Sequence, residues 1–191
     1  MKIIKRHNRR SIRLKEYDYS QPGEYFITIC TYNHEYTLGE IINSEMRLNE
    51  IGKIAEKCWK EISNHFMNVE LDEFVVMPNH LHGIFTISEP VEYIQPNTKN
   101  VDVGVQNFEP LPQNTYQHII PKSLGSIIRS YKAAVTHECR QCGYHDFRWQ
   151  RNFYDRVIRN DNELDKIRDY ILNNVLQWAF EKDNPDNIPL W

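Results

Sequence analysis

Apolar and polar positions divide the chain into short extended and longer helical segments. Residues Glu24 to Tyr32 are rich in aromatic and β-branched side chains and follow a proline-glycine turn, which predicts a strand. We expect Leu38 to Ile42 to be its hairpin partner. Val69 to Val76 and Gly83 to Ile87 predict two further strands, which should pair as a hairpin across the turn residues Met77-Pro78-Asn79.

Helical spacing of apolar residues predicts three helices. Asn49 is a candidate N-cap for a helix from about Glu50 to Phe66, and a second amphipathic helix begins at Ser123. A last helix is predicted from residues 162–163 to about Phe180, after an extended stretch from Phe147 to Ile158.

The resulting order is strand, helix, strand, strand, helix, strand, helix. This order predicts an α+β fold, a ferredoxin-like antiparallel sheet with helices packed on one face. We expect a single domain over residues 16–181, preceded by a basic arm (1–15) and followed by a short tail (182–191). Residues 88–121 hold five of the nine prolines and no sustained periodicity, so they are predicted to be a loop insertion.

The composition is typical of a globular protein, with 40% hydrophobic and 26% charged residues. No apolar run approaches the roughly 20 residues that a membrane span requires, so no membrane association is expected. The basic start of the chain is not followed by a long apolar segment, which predicts a cytoplasmic protein. The net charge of −3 argues against nucleic-acid binding, but the distribution of charge argues for it.

Basic residues are concentrated in three places. The first 15 residues hold seven lysines and arginines and no acidic residue, and a second cluster between residues 148 and 159 is interleaved with aromatic side chains. Cations that follow the backbone and rings that stack on bases suit single-stranded nucleic acid. A solvated tail and a half-buried strand explain either segment taken alone. With the predicted helix from Ser123, the candidate DNA-binding residues are Arg9, Arg10, Arg13, Arg129, Lys132, Arg151 and Arg156.

The four cysteines are too few for a disulfide scaffold and suit a reducing compartment. Cys139 and Cys142 form one CxxC pair with histidines nearby, but there is no second CxxC. We therefore expect no metal or redox role for this pair.

Two histidines stand two residues apart at the predicted start of a strand. Alternate strand residues point to the same face, so His80 and His82 would present both imidazoles to one spot while Leu81 turns into the core. Such a pair is a two-point metal clamp, although surface or hydrogen-bonded histidines are the commoner explanation of a lone His-x-His.

The last predicted helix supplies a candidate for a third ligand and, beside it, a candidate nucleophile. Tyr170 and Asn174 are four residues apart, so they lie one above the other on the flank of the apolar stripe. Asn174 could give an amide oxygen to a cation, with Asn173 as an alternative. Two imidazoles and an amide suit Mg²⁺ or Mn²⁺ better than zinc where phosphate must be oriented. On the helix alone, Tyr170 is more simply explained as a core-edge side chain.

The chain resembles the REP-associated tyrosine transposases and their relatives among single-tyrosine, His-hydrophobic-His transposases. The likeness covers most of residues 9–180 and is carried in order by RRSIRLKEYDYSQPGEYFITICTYN, VVMPNHLHGIF, SLGSIIRSYKAAV, FRWQRNFYDRVIR and IRDYILNNVLQW. The resemblance implies His80, His82 and Asn174 as ligands of a divalent metal and Tyr170 as the nucleophile. Many relatives have Asn-Pro where this chain has Asn174-Val175, and Tyr154 in the fourth segment is a competing nucleophile.

The resemblance further implies a metal-dependent enzyme that cuts and rejoins single-stranded or hairpin DNA of a repetitive palindromic element. Its relatives form a 5′-phosphotyrosine link, free a 3′-hydroxyl, and occur as monomers and as homodimers. Two alternatives stay open. One is a nucleic-acid-binding module that keeps the fold without cutting, and the other is a different metal-dependent nuclease or replication-initiation enzyme with the same residues.

Overall fold

The computed structural model describes residues 17–89 and 122–181. The predicted basic arm with Arg9, Arg10 and Arg13, nearly all of the predicted insertion, and the tail lie outside the described residues. The helices are α1 (Glu50–Lys60), α2 (Ile62–His65), α3 (Leu124–Gln141) and α4 (Asp161–Glu181). The strands are β1 (Gly23–Cys30), β2 (Gly39–Ile42), β3 (Glu45–Leu48), β4 (Val69–Met77), β5 (His80–Ile87) and β6 (Tyr154–Ile158).

Within the described part of the chain, four strands form the main antiparallel sheet in the order β4-β5-β1-β6. β1 is followed by α1 before β4, and β5 is followed by α3 before β6. Two strand-helix-strand connections around a central hairpin are the pattern of a ferredoxin-like fold. The predicted α+β class and antiparallel sheet are therefore confirmed.

The predicted pairing of Leu38 to Ile42 with the first strand is wrong. β2 pairs instead with β3, from Gly39 opposite Leu48 to Ile42 opposite Glu45. The two strands are joined at Asn43 and Ser44, which both have positive φ, as two-residue hairpin turns require. Both edges of β1 are already paired, with β5 and β6, so no edge of β1 remains for β2.

One face of the sheet is covered by α1 and α3, as the sequence predicted for the helices. The inward side chains of β1 on this face are Tyr25, Ile27 and Ile29, which are fully buried. Trp59 of α1 lies so close to the sheet that a β-carbon on Gly83 would stand 2.3 Å from its ring. The predicted N-cap is confirmed, since the Asn49 side chain accepts a bond from the Gly52 amide.

The last helix lies on the other face of the sheet, where the sequence analysis placed none. Its apolar residues Leu164, Ile167 and Ile171 pack with Phe26 of β1, Ile84 of β5 and Ile158 of β6. The last six residues of β1 are buried whichever face they point to, so each face of the sheet is covered. The predicted packing of helices on one face is therefore observed for α1 and α3. The second face is covered by α4.

Two ion pairs fix α4 across the sheet. β4 has a bulge between Leu71 and Phe74, and within it the Asp72 carboxylate accepts bonds from Nε and from a terminal nitrogen of Arg168. On the opposite edge, Arg156 of β6 donates to Glu163. α4 is therefore held at both sheet edges. None of the described helices has the length and apolar character that crossing a membrane demands.

Candidate active site

The paired histidines lie at the start of β5, directly after the Pro78-Asn79 turn. Their ring centroids are 4.5 Å apart, as expected for strand residues two apart on one face. Across the sheet, His80 is opposite Cys30 and His82 is opposite Thr28 of β1. This is the face that α4 covers, so both imidazoles lie between the sheet and the last helix.

His82 is nearly inaccessible and hydrogen-bonded at both ring nitrogens. Nδ1 lies 2.8 Å from the Thr28 hydroxyl oxygen and Nε2 lies 3.2 Å from the Tyr170 hydroxyl. A phenol donates its proton readily, so Nε2 accepts from Tyr170 and Nδ1 donates to Thr28. Burial, helped by the neighbouring His80, lowers the pKa of His82 well below 6.5. The ring is therefore neutral at pH 7.

His80 is fixed by the residue that precedes it. Its Nδ1 lies 2.7 Å from the Asn79 side-chain oxygen, and an amide oxygen only accepts, so Nδ1 carries the proton. Burial and the nearby His34 lower the pKa of His80 to about 3. Both histidines are thus neutral with a lone pair on Nε2, which is the form that binds metals.

Asn174 occupies the position on α4 that faces the histidine pair. One turn before it, Tyr170 contacts His82, and one turn after it, Trp178 lies 6.0 Å from His80 between ring centroids. Asn174 is fully buried, yet neither of its amide atoms has a hydrogen-bond partner among the described residues. Buried amides are rarely left unpaired, so this one is suited to a ligand.

The residues present fit a hard divalent cation. Two neutral imidazoles and one amide oxygen make a mixed nitrogen and oxygen set that leaves positions open for phosphate. Over residues 17–89 and 122–181, no group of three or more His, Cys, Asp or Glu side chains is arranged so that it could hold a metal ion, so an amide is the available third donor. Asn173, the sequence alternative, is exposed and donates to the Asp169 carbonyl oxygen.

The competing tyrosine is on the same face but farther away. Tyr154 of β6 is directly opposite Thr28, and Thr28 in turn is opposite His82, so the three residues form one row across the sheet. Two strand spacings, roughly 10 Å, separate the backbones of Tyr154 and His82. Tyr170, by contrast, is within hydrogen-bond distance of His82.

The described candidate DNA-binding residues are only partly brought together. Lys132 and Arg151 line one groove of about 460 Å³ together with Arg140. The Lys132 ammonium donates to the backbone oxygens of residues 150 and 152, and burial lowers its pKa to about 8. Arg129 is exposed on α3, whereas Arg156 is engaged with Glu163.

The CxxC pair is at the carboxyl end of α3. Cys139 is buried and Cys142, which caps the helix, is exposed. Burial raises the pKa of the Cys139 thiol to about 11, so it is protonated at neutral pH. A protonated thiol is a poor metal ligand and a poor nucleophile.

Sequence reasoning missed Thr28 and Asn79, which orient the two imidazoles. Asn79 is adjacent to His80 in the sequence, so a search for polar neighbours of the pair would have found it. Thr28 is 54 residues from His82 and is brought to it only by the register of β1 and β5.

Comparison with known proteins adds one relative at high identity. An uncharacterized protein of Haemophilus influenzae (strain ATCC 51907 / DSM 11121 / KW20 / Rd) is 42% identical over 172 residues, which are 90% of this chain and 91% of that protein. The chain belongs to the same family as this Haemophilus protein. No family model matches the sequence.

Solved structures identify the fold. The structure of a REP-associated tyrosine transposase bound to a REP hairpin is similar over 91% of this chain and 81% of that chain, with a TM-score of 0.55 and 20% identity. The predicted resemblance is thus confirmed at the level of the fold. A protein from Deinococcus radiodurans R1, provisionally assigned as a transposase, is 16% identical over 84% of this chain and 95% of that one. Its TM-score of 0.42 is too low to support a shared fold.

Proposed function

We propose that this protein is a tyrosine transposase that cuts and rejoins single-stranded or hairpin DNA. One observation carries the proposal. A buried tyrosine hydroxyl on α4 lies 3.2 Å from one of two neutral histidines, beside a fully buried amide without a partner among the described residues. The similar transposase was solved with a REP hairpin, which supports hairpin DNA of a repetitive palindromic element as the substrate class.

Three side chains would hold a divalent cation, Mg²⁺ or Mn²⁺. The Nε2 atoms of His80 and His82 and the amide oxygen of Asn174 supply the donors, and Asn79 and Thr28 keep the two lone pairs on Nε2. Such a cation neutralises and orients the oxygens of the scissile phosphate.

Tyr170 is the proposed nucleophile. Its oxygen forms a bond to phosphorus while the bond from phosphorus to the 3′ oxygen breaks, so the enzyme keeps the 5′-phosphate and a 3′-hydroxyl is freed. The phenol loses its proton in this step and the departing 3′ oxygen gains one. Attack by a 3′-hydroxyl on the phosphotyrosine reverses these changes and joins the strands without a nucleotide cofactor.

The test is a covalent-adduct assay with Mn²⁺ and a hairpin oligonucleotide. Because the protein keeps the 5′-phosphate of the downstream fragment, a label at the 3′ end should stay on the protein in denaturing gels, whereas a 5′ label should not. Tyr170→Phe should abolish the adduct. Tyr154→Phe, which removes the hydroxyl of the competing tyrosine, should retain it.

Two outcomes would overturn parts of the proposal. Full adduct formation by Tyr170→Phe would remove Tyr170 as the nucleophile. If the wild-type protein binds hairpins equally well with metal and with chelator and forms no adduct, the non-cleaving binding module is the correct function. The cytoplasmic location, the monomeric or dimeric state and DNA contacts by the basic arm stay predictions.

A further inference from the structure

Residues 31–38, here called the tyrosine loop, lie over the β4–β5 turn next to His80. The Thr31 amide donates to the Asn79 carbonyl oxygen at 2.9 Å, and the Leu38 amide donates to the Pro78 carbonyl oxygen at 3.0 Å. The middle of the loop is held by the Asn79 side chain, which donates to the His34 carbonyl oxygen. The same asparagine that orients His80 therefore also fixes this loop.

The backbone of the tyrosine loop has an uncommon conformation. Asn33 and His34 both have left-handed φ values, 52° and 55°. Asn43 and Ser44 in the β2–β3 turn have similar φ values, so the conformation marks a tight turn, which the hydrogen bonds to residues 78 and 79 hold in place. The loop is therefore a shaped surface beside the histidine pair.

The tyrosine loop exposes two aromatic rings. Tyr36 is 55% exposed and Tyr32 is 43% exposed, although both are large rings that would bury well. The Tyr36 ring lies 5.7 Å from Trp178 of α4, and Trp178 lies 6.0 Å from His80, between ring centroids. A row of contacting rings therefore leads from His80 through Trp178 to the solvent-exposed Tyr36.

Positive charge accompanies these rings. The exposed Arg148 guanidinium lies 5.0 Å from the centre of the Tyr32 ring, and the Tyr32 amide donates to the Arg148 carbonyl oxygen. Exposed rings beside an arginine are the combination by which proteins hold single-stranded nucleic acid, since bases stack on the rings and cations follow the phosphates. An apolar protein partner would not need the arginine.

We propose that Tyr36 and Trp178 form a stacking site for one unstacked nucleobase of single-stranded DNA, next to the phosphate that the histidine pair holds. Tyr32 and Arg148 extend this surface along the strand. The location of the phosphate rests on the proposed function, but stacking itself requires neither metal nor cleavage. Such a site would make the protein bind unpaired DNA more tightly than duplex DNA at the scissile position, because a paired base cannot stack on a protein ring.

The experiment measures binding in chelator, where no cleavage takes place. The probes are a fluorescent oligothymidylate and an oligomer of the same length with abasic sugars, which keeps the phosphates and removes the bases. Wild-type protein should bind the thymidylate roughly 5- to 150-fold more tightly than the abasic strand, the range expected for base stacking on an aromatic ring. Tyr36→Ala should lose most of this preference, and Tyr36→Phe should keep it.

The matched control is Tyr144→Ala. Tyr144 is also an exposed tyrosine, at 37%, but it follows the carboxyl end of α3 and is not part of the tyrosine loop. This variant should retain the wild-type preference, which separates a stacking site from a general loss of surface aromatics.

The proposal is overturned if wild-type protein binds both probes alike, or if Tyr36→Ala discriminates as well as the wild type. The two proposals fail separately. Adducts from wild-type protein together with an unchanged preference in Tyr36→Ala would remove only the stacking site. A preference that depends on Tyr36 without any adduct would leave the stacking site and remove the cleavage function.

Discussion

The two faces of the main sheet are built from alternate residues of the same strands, yet they differ in kind. The face under α1 and α3 is closed by aromatic and aliphatic side chains, including Trp59, Tyr131 and Phe85. The face under α4 begins with a smaller apolar cluster and then changes to Thr28, His82 and Asn174, which are polar and nearly inaccessible.

The difference shows where the protein concentrates buried polar side chains, although Nε1 of Trp59 and of Trp149 on the apolar face also has no hydrogen-bond partner among the described residues. A polar group that is buried without a partner destabilises a fold by about 1–3 kcal/mol, so such groups are rare unless they have a use. The apolar face supplies stability that lets the opposite face keep neutral imidazoles and an unpaired amide. Substitutions on the two faces should therefore change the free energy of unfolding in opposite directions.

The largest separation of function from stability is expected at Asn174. Asn174→Leu has nearly the same shape and removes a buried amide that has no partner among the described residues, so it should raise the free energy of unfolding of the metal-free protein by about 1 kcal/mol. The same change should weaken Mn²⁺ binding by at least about 10-fold, because even indirect partners of a metal site contribute that much. Urea unfolding and calorimetric titration with Mn²⁺ measure the two effects.

Asn173→Ala is the control for this prediction. Asn173 is exposed on the same turn, so its removal should leave Mn²⁺ binding unchanged. Loss of metal affinity in Asn173→Ala with retention in Asn174→Leu would show that the third ligand is Asn173.

Acid should lower the free energy of unfolding through the two histidines on the α4 face. The folded-state pKa values of His80 and His82 lie below the value of about 6.5 expected in the unfolded chain. Between pH 6.5 and about 3 the unfolded chain thus binds protons that the folded protein does not. As the pH decreases through this window, the free energy of unfolding should decrease by up to about 1.4 kcal/mol per pH unit for each histidine.

Urea unfolding of the metal-free protein at pH 7 and pH 5 measures this slope. His80→Gln should reduce it, whereas His65→Gln, which removes an exposed histidine, should not. An unchanged slope in His80→Gln would show that burial of this imidazole does not control the acid sensitivity.

The apolar face should be sensitive to added volume. A β-carbon at Gly83 would stand 2.3 Å from the ring of Trp59, which is fully buried. Gly83→Ala should destabilise the protein by about 1–3 kcal/mol, the range for overpacked cores. Thermal unfolding measures this, and a loss below about 0.5 kcal/mol would mean that the Trp59 ring shifts freely.

The smallest effect is expected where α4 is fixed to the sheet edge. Asp72→Asn removes a charge from the pair with Arg168, which is 39% exposed and therefore well screened. The free energy of unfolding should fall by less than about 1 kcal/mol. A larger loss would show that α4 depends on its ion pairs more than on the apolar cluster beneath it.

Sequence periodicity predicted those parts of the site that lie within one element. A period of two places His80 beside His82, and helical spacing of four places Tyr170 beside Asn174, and both pairs lie as predicted on a shared face. The order of strands and helices was likewise sufficient to predict the ferredoxin-like sheet.

What periodicity missed depends on contacts between distant elements. The apolar stripe of α4 does not indicate which face of the sheet the helix covers, because β1 is buried on both faces. The pairing of β2 with β3 and the approach of Thr28 to His82 follow from register, which is set only when the sheet forms. Exposed rings such as Tyr36 carry no periodic signal at all.

The contact between Tyr170 and His82 joins residues 88 positions apart, and α4 follows every other described element in the chain. During synthesis, the ferredoxin-like strands and their two crossover helices are therefore made before the proposed nucleophile. The histidine pair remains without its tyrosine until the last helix docks. If hydrogen exchange finds that α4 opens without the sheet, the proposed DNA-cutting centre is the first part of the molecule to lose its structure.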